Sequence, residues 1–233
     1  IAASRSGHVT VACVPSAAIH FLPSVVRSFS ERYPLIRIRV IDEAAGQVLA
    51  TDPPYILYTS GTTGDPKGVV YSHRSIYLHS MQVCMSDGPN LAQGDRALAV
   101  VPQFHAMSWG LPYAAFMIGA SLIMPDRFLQ PAPLAAIIAS EKPTFAAAVP
   151  TIWQGLHLYL EQNPQLRLPH LDRVVIGGSA CPESIMKAFV ETYGSDVIHA
   201  WGMTEMSPIG SLGVATGETT SLSSEDWWTV KLK

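Results

Sequence analysis

Between two short apolar runs, Tyr55–Tyr58 and Val69–Ser72, the chain reads Thr59-Ser60-Gly61-Thr62-Thr63-Gly64-Asp65-Pro66-Lys67-Gly68. This segment gathers three glycines, four hydroxyls and one lysine. Glycine permits sharp turns and lets backbone approach an anion closely. Hydroxyls donate to phosphate oxygens, and the Lys67 charge screens phosphate repulsion. An ordinary polar hairpin turn has no reason to concentrate such side chains. The segment joins two strands, so it reads as a mobile cover over phosphates rather than a cradle capping a helix. It is not a Walker A loop, which ends Gly-Lys-Ser/Thr, because Lys67 lies between Pro66 and Gly68.

Around this loop, apolar runs alternate with helical spacing. Val9–Val14 reads as a buried strand. Ser16 is placed to cap a helix whose apolar positions are Ile19, Leu22, Val25, Val26 and Phe29, and Pro34 ends it. Ile36–Ile41 is a second strand, so the opening is a βαβ unit with parallel strands and a right-handed crossover. Ala44–Ala50 starts another helix, which Pro53 and Pro54 forbid from continuing. Downstream, helices are predicted over His73–Cys84, Pro133–Glu141, Thr151–Gln162 and Pro182–Tyr193. Strands are predicted over Ala97–Val101, Ser121–Met124, Thr144–Val149, Arg173–Ile176 and Val197–Ala200. Phe104–Gly110 is expected to be a loop, and Trp109–Met124 a buried helix running into a strand. The class is α/β, with a mainly parallel sheet and helices on both faces. The stretch after Gly217 has no period and is expected to be a mobile tail, residues 218–233.

Composition narrows the functional classes. Hydrophobic residues make up 48% and charged residues 14%, a globular balance. A net charge of −3 gives no drive toward nucleic acid or acidic membrane. Cys13, Cys84 and Cys181 form no CxxC pair, so no disulfide framework or cysteine metal site is expected, and a reducing, cytoplasmic setting fits. No apolar run reaches the length of a membrane span, and the N-terminus lacks the order of a signal peptide.

The loop Tyr58–Gly68 resembles the signature of the adenylate-forming superfamily, which includes acyl-CoA synthetases, luciferases and peptide-synthetase adenylation domains. Three further stretches resemble that family's motifs, in its order. Pro102-Gln103-Phe104-His105 is similar to the acyl-pocket motif, Gly177-Gly178-Ser179-Ala180 to the adenine-side loop, and Trp201-Gly202-Met203-Thr204-Glu205 to the aromatic-Gly-x-Thr-Glu motif. The resemblance covers about Asp52 to Ser211 and leans toward medium- and long-chain fatty acyl-CoA ligases. It implies that a carboxylate attacks the α-phosphate of ATP to give acyl-AMP, which CoA then converts to a thioester. The implied small molecules are a carboxylate, ATP or AMP, Mg²⁺ and CoA.

By that resemblance Thr59, Ser60, Gly61, Thr62, Thr63, Gly64 and Lys67 hold the β- and γ-phosphates. Thr204 binds the α-phosphate and Glu205 the Mg²⁺, so Lys67, Thr204 and Glu205 carry the chemistry. Trp201 and Gly202 meet the adenine, and Gly178, Ser179 and Ala180 let the base approach backbone. His105 borders the acyl pocket. Taken singly, several of these residues have plainer readings: His105 as a core histidine, Trp201 as core, and Thr204-Glu205 as a helix start. Met203 and Met206 read as packing, and Cys181 as a small buried hydrophobe.

The opening residues, GHVTVACVPSAAIHFLPSVVRSFSERYPLIRIRV, resemble a different family: the first βαβ of a LysR-type regulator's effector-binding domain. There the turn at Pro15-Ser16-Ala17 would border an effector cleft. The expected organisation is thus a flavodoxin-like βαβ over residues 1–50, fused to a partial adenylate-forming core over 51–217. On this reading the ribose-binding aspartate motif, the hinge and the catalytic-lysine domain are missing. A ligase fragment that binds nucleotide with little turnover is then expected. Alternatives are an effector-binding module or a chimera without activity, and exposed edge strands would permit a homodimer.

Overall fold

The computed structural model describes residues 7–13, 26–27, 30–31, 34, 36–42, 55–59, 67–168, 170–214, 216–217, 219 and 222–231. The chain divides into two compact units, residues 1–56 with 70–74, and residues 57–69 with 75–233.

In the first unit β1 (Gly7–Cys13) and β2 (Ile36–Asp42) pair in parallel, in register from Gly7 opposite Ile36 to Cys13 opposite Asp42. Parallel neighbours require a crossover, and residues 26–27 and 30–31 within it are helical. The helix expected over Ala44–Ala50 and the turn at Pro15–Ala17 lie outside the described residues. The two strands predicted to flank the glycine-rich loop form as β3 (Tyr55–Thr59) and β4 (Lys67–Tyr71) and pair with each other. Residues 60–66 between them lie outside the described residues.

The second unit is built on a six-stranded sheet of order β10-β9-β8-β7-β5-β6. Its strands are β5 (Arg96–Ala99), β6 (Ser121–Ile123), β7 (Phe145–Ala148), β8 (Arg173–Gly177), β9 (Asp196–Gly202) and β10 (Ile209–Gly213). All pairings are parallel except β9 with the edge strand β10. The central strands are short runs of alanine, valine and isoleucine, buried on both sides. Such runs suit a parallel sheet covered by helices on each face.

Alternate residues of each strand enter different cores. Leu98, Ala146, Ala148, Val174, Ile176 and Val197 pack with α3 (Pro131–Glu141), α4 (Pro150–Gln162) and α5 (Glu183–Lys187). Ala97, Ala99, Phe145, Ala147, Val175, Ile198 and Ala200 pack with α1 (His73–Cys84), through Val83, and with α2 (Leu111–Ile118). Helices α3 and α4 each carry proline in the first turn, where its missing N–H has no helical partner to lose. That is why α3 begins at Pro131, two residues before the predicted start.

Three expectations are corrected. The apolar stretch after Trp109 is a shorter helix, α2, that is not wholly buried: Phe116 is 71% exposed. The segment Pro182–Tyr193 is α-helical only to Lys187 and continues as a π-helical turn, Ala188–Thr192, which places Phe189 in the core. The tail after Gly217 ends in a helix, α6 (Ser224–Lys231). Ser223 caps it, accepting from the Asp226 N–H at 3.2 Å while its hydroxyl donates to the Asp226 carboxylate at 2.7 Å. This is a serine N-cap of the kind that Ser-x-x-Asp spells in sequence. Trp228 is 8% exposed, packs into the first core, and lies 5.5 Å from the Lys187 ammonium.

The N-terminal ends of the strands are tied by one ionic knot. Asp95, just before β5, accepts from the Ala92 N–H at 2.7 Å, the Thr144 hydroxyl at 2.6 Å and the Arg173 guanidinium at 2.6 Å. Thr144 also accepts from the Arg96 N–H at 3.1 Å. Arg173 donates onward to the Pro89 and Asn90 carbonyls. Burial alone would push the Asp95 carboxyl up, but the bonds from Thr144, Ala92 and Arg173 outweigh it and hold it below its ordinary value.

Breaking such a pair strands a buried charge, so Asp95→Ala should lose about 3–5 kcal/mol of unfolding free energy in urea titrations. Because the folded value lies below 3.8, the knot's contribution is whole above that pH and drains as pH falls through the depressed value. Asp95→Asn should therefore show a flatter acid limb than wild type, and equal limbs would contradict this account.

Candidate active site

Parallel α/β sheets present ligands at the carboxyl ends of their strands. A cavity of about 280 Å³ opens there, at the ends of β8 and β9. Gly177 and Gly178 form one wall, and Ala200, Trp201 and Gly202 a second. Met203, Thr204 and Glu205 close one side, in and beside a short 3₁₀ turn (Thr204–Met206), with Pro208 and Ile209 below them. His105, Ala106 and Trp109 complete the lining.

The β9–β10 connection is unusually tight. A Cβ on Gly202 would stand 2.2 Å from the Pro208 carbonyl oxygen, so no other residue fits. That oxygen accepts from the Met203 N–H at 2.9 Å. Trp201 is 57% exposed, and its ring lies across Gly210 beside Met206, since a Cβ on Gly210 would meet the ring at 2.6 Å and the Met206 sulfur at 2.7 Å. The indole is therefore a propped, open platform rather than a core side chain.

The loop predicted over Phe104–Gly110 is a single left-handed helical turn. Ala106, Met107, Ser108 and Trp109 have φ of 41°, 53°, 55° and 54°. Left-handed angles cost L-residues roughly 1–2 kcal/mol each. The Ser108 hydroxyl donates to the Val101 carbonyl at 2.6 Å, and the Gly110 N–H to the Met107 carbonyl at 3.1 Å. Gly110 itself has φ 74°, and a Cβ there would fall 2.4 Å from Nδ1 of His79. His79 is buried against this backbone, its Nε2 has no hydrogen-bond partner, and burial pushes its pKa down to about 4.

Of the residues singled out in sequence, His105, Gly178, Trp201, Gly202, Thr204 and Glu205 line this one cavity. Ser179 and Ala180 follow Gly178 in an exposed loop and do not line it. Thr59 ends β3 and Lys67 begins β4, while Ser60, Gly61, Thr62, Thr63 and Gly64 lie outside the described residues. Met203, read as packing, is a lining residue. Cys181 is half-buried, with its thiol pushed up to about 11 by burial, as a small hydrophobe would be. Trp109, Ala200 and Ile209 were not singled out as site residues. Trp109 was hidden inside an apolar run, and Ile209 on a strand that no alternation marked.

Among the described residues no group of three or more His, Cys, Asp or Glu side chains is arranged to hold a metal ion. Glu205 is the carboxylate of the cavity lining, with the Thr204 hydroxyl beside it in sequence. One carboxylate and one hydroxyl suit a hard ion carried largely by a ligand's own oxygens, not an all-protein cage. No described helix is long and apolar enough to cross a membrane.

Comparison with known proteins gives a consistent picture. A family model described as "AMP-binding enzyme" matches residues 14–227, and so takes in most of the opening stretch as well. The chain is 49% identical over 171 residues to a medium-chain-fatty-acid–CoA ligase of Ectopseudomonas oleovorans, covering 73% of this chain and 31% of that protein. It is 46% identical over 176 residues to a long-chain-fatty-acid–CoA ligase of Thermus thermophilus, covering 76% and 32% respectively. The chain thus spans about a third of the length of these curated relatives. Its fold resembles the N-terminal domain of FACL13 from Mycobacterium tuberculosis, with TM-score 0.65 and 24% identity over 88% of this chain and 53% of that one. It also resembles a long-chain-fatty-acid–CoA ligase from Archaeoglobus fulgidus, with TM-score 0.63 and 22% identity over 87% and 44%.

The buried His79 makes a pH prediction. The folded chain keeps it neutral down to about pH 4, while the unfolded chain protonates it below 6.5. Between those values the unfolded state binds more protons, so stability should fall as pH falls, then level off below about 4. The loss should be on the order of 3 kcal/mol, measured by urea unfolding, and His79→Leu should abolish this slope.

Proposed function

Starting from the chain's membership of the AMP-binding enzyme family, we propose that the cavity at the ends of β8 and β9 takes an adenine nucleotide beside a fatty carboxylate. The chain then serves as the nucleotide-side core of an AMP-forming acyl-CoA ligase. The observation that carries this reading is convergence: His105, Gly178 and the run from Trp201 to Glu205, far apart in sequence, line one cavity.

In this reading the exposed Trp201 face stacks on the adenine, and Gly178 lets the base lie against backbone. Thr204 donates to the α-phosphate, and Glu205 orients a nucleotide-borne Mg²⁺, which supplies charge neutralisation when bound. Lys67 and the hydroxyls of Thr59, Ser60, Thr62 and Thr63 hold the outer phosphates. His105 and Trp109 border the acyl group, with Met203 and Ile209 giving it apolar contact. The residues supply positioning and electrostatics, and the carboxylate itself is the nucleophile. CoA is the acyl acceptor in this scheme, as the ligase relatives' names indicate for those proteins.

Thermal unfolding with and without ligand tests the proposal. AMP or Mg²⁺-ATP at a hundredfold excess over Kd should add about 2.7 kcal/mol of stability. Trp201→Ala should weaken AMP by about 1–3 kcal/mol, the worth of one base stacked on an aromatic ring. Glu205→Gln should lose only the Mg²⁺-dependent increment. No nucleotide-dependent shift in the wild-type chain would sink the reading.

A second reading is favoured by the parallel β1–β2 pair, the element with which the regulator-like stretch would open. Short or aromatic carboxylates that stabilise the chain in Lys67→Ala but not in Ser16→Ala would move the ligand site to that unit.

A further inference from the structure

Four consecutive non-glycine residues, Ala106–Trp109, are in left-handed conformation, and the first and last of them, Ala106 and Trp109, line the cavity. Backbone of this kind persists only where its surroundings over-determine it. A bond from one side chain ties this turn to the core segment that follows β5. Ser108, 1% exposed, donates its hydroxyl proton to the Val101 carbonyl at 2.6 Å. Val101 lies two residues past the end of β5 and belongs to the second core, so the tether runs to the buried segment leaving the sheet rather than within the turn. The next residue is Trp109, 9% exposed. Its ring edge lies where a Cβ on Gly177 would meet it at 3.4 Å and one on Gly178 at 3.5 Å. Tether, turn and indole are thus consecutive parts of one wall.

We propose that Ser108 is a positioning residue: its bond to Val101 holds the left-handed turn, which fixes the Trp109 indole against Gly177 and Gly178 and thereby sets the length of apolar ligand the cavity admits. The specificity part rests on the carboxylate-and-nucleotide reading of the cavity, while the ring-positioning part does not. Alanine at 108 keeps nearly all the buried volume but loses the donor, and its φ preference favours relaxation toward right-handed angles. The indole then leaves the glycine wall and the cavity lengthens. Glycine also loses the donor, yet adopts positive φ at no steric cost, so the turn is retained. A purely space-filling Ser108 would not separate these two variants.

The test labels the ligand-free chain with 5-fluorotryptophan and follows the Trp109 ¹⁹F resonance, assigned with Trp109→Phe. Ser108→Ala should shift and broaden that resonance alone, and Ser108→Gly should leave it near its wild-type position. Octanoate and dodecanoate are then titrated in the presence of AMP. The dodecanoate-to-octanoate affinity ratio should rise about tenfold in Ser108→Ala, with AMP affinity unchanged. An unmoved Trp109 resonance in folded Ser108→Ala, equal displacement in the alanine and glycine variants, or an unchanged ratio overturns the proposal. Should the alanine variant not fold, Ser108→Cys, a weaker donor of similar size, should displace the ring partway, and an undisplaced ring there overturns it too. Failure of wild type to bind AMP or octanoate overturns the nucleotide reading and with it the specificity role, and leaves the ring position as the separate readout for Ser108.

Discussion

The sheet of the second unit is organised by a single buried carboxylate. Asp95 draws Thr144 and Arg173 to itself, and through them the N-terminal ends of β5, β7 and β8. A charge with three donors in reach, one of them a guanidinium, tolerates burial because both of its oxygens are hydrogen-bonded. The same bonds fix the relative stagger of the three strands, since each partner lies at a strand's first residue or just before it. Once that edge is pinned, the opposite edge receives the loops, and the cavity occurs there. Stability and site are thereby separated across the thickness of one sheet.

How much of this was legible in the sequence depends on whether the information was local. The alternation of strands and helices was, because short alanine and valine runs bounded by glycine or proline leave few other readings. Helix α1, His73–Cys84, forms where a helix from His73 to about Cys84 is expected. The convergence of Thr204, Trp201, Gly178 and His105 was legible only by resemblance, since no spacing in the chain brings those segments together. What escaped has physical reasons. Strand β10 is an edge strand carrying Gly210 and Gly213, so it shows no alternation and takes its conformation from β9. Helix α6 lacks an amphipathic period, and it is held by the Ser223 N-cap and one buried tryptophan. The left-handed turn is invisible to propensity, because Ala, Met, Ser and Trp favour it no more than most residues; a hydroxyl reaching seven residues back sustains it.

Two kinds of constraint meet at the cavity. The glycines at 178 and 202 are there to let other backbone or ring atoms come close. Ala106–Trp109 does the reverse, forcing ordinary residues into a conformation that glycine would adopt freely. The first device makes room and the second fills it with an indole. Retaining non-glycine residues at such angles gives up some stability, and that pattern is characteristic of sites where the position of a side chain matters more than the comfort of the backbone.

The hairpin of β9 and β10 carries a further consequence. Gly177 and Gly178 belong to or follow β8, an interior strand paired on both sides. Trp201 and Met203 hang from a ladder whose outer member, β10, has β9 as its one neighbour among the described residues. The cavity is therefore half anvil and half leaf spring. Opening fluctuations cost least at a sheet's margin, so the aromatic platform can breathe while the glycine wall stays still. A ligand clasped between them would register its arrival in amide exchange along Ile209–Gly213 and scarcely at all in β8.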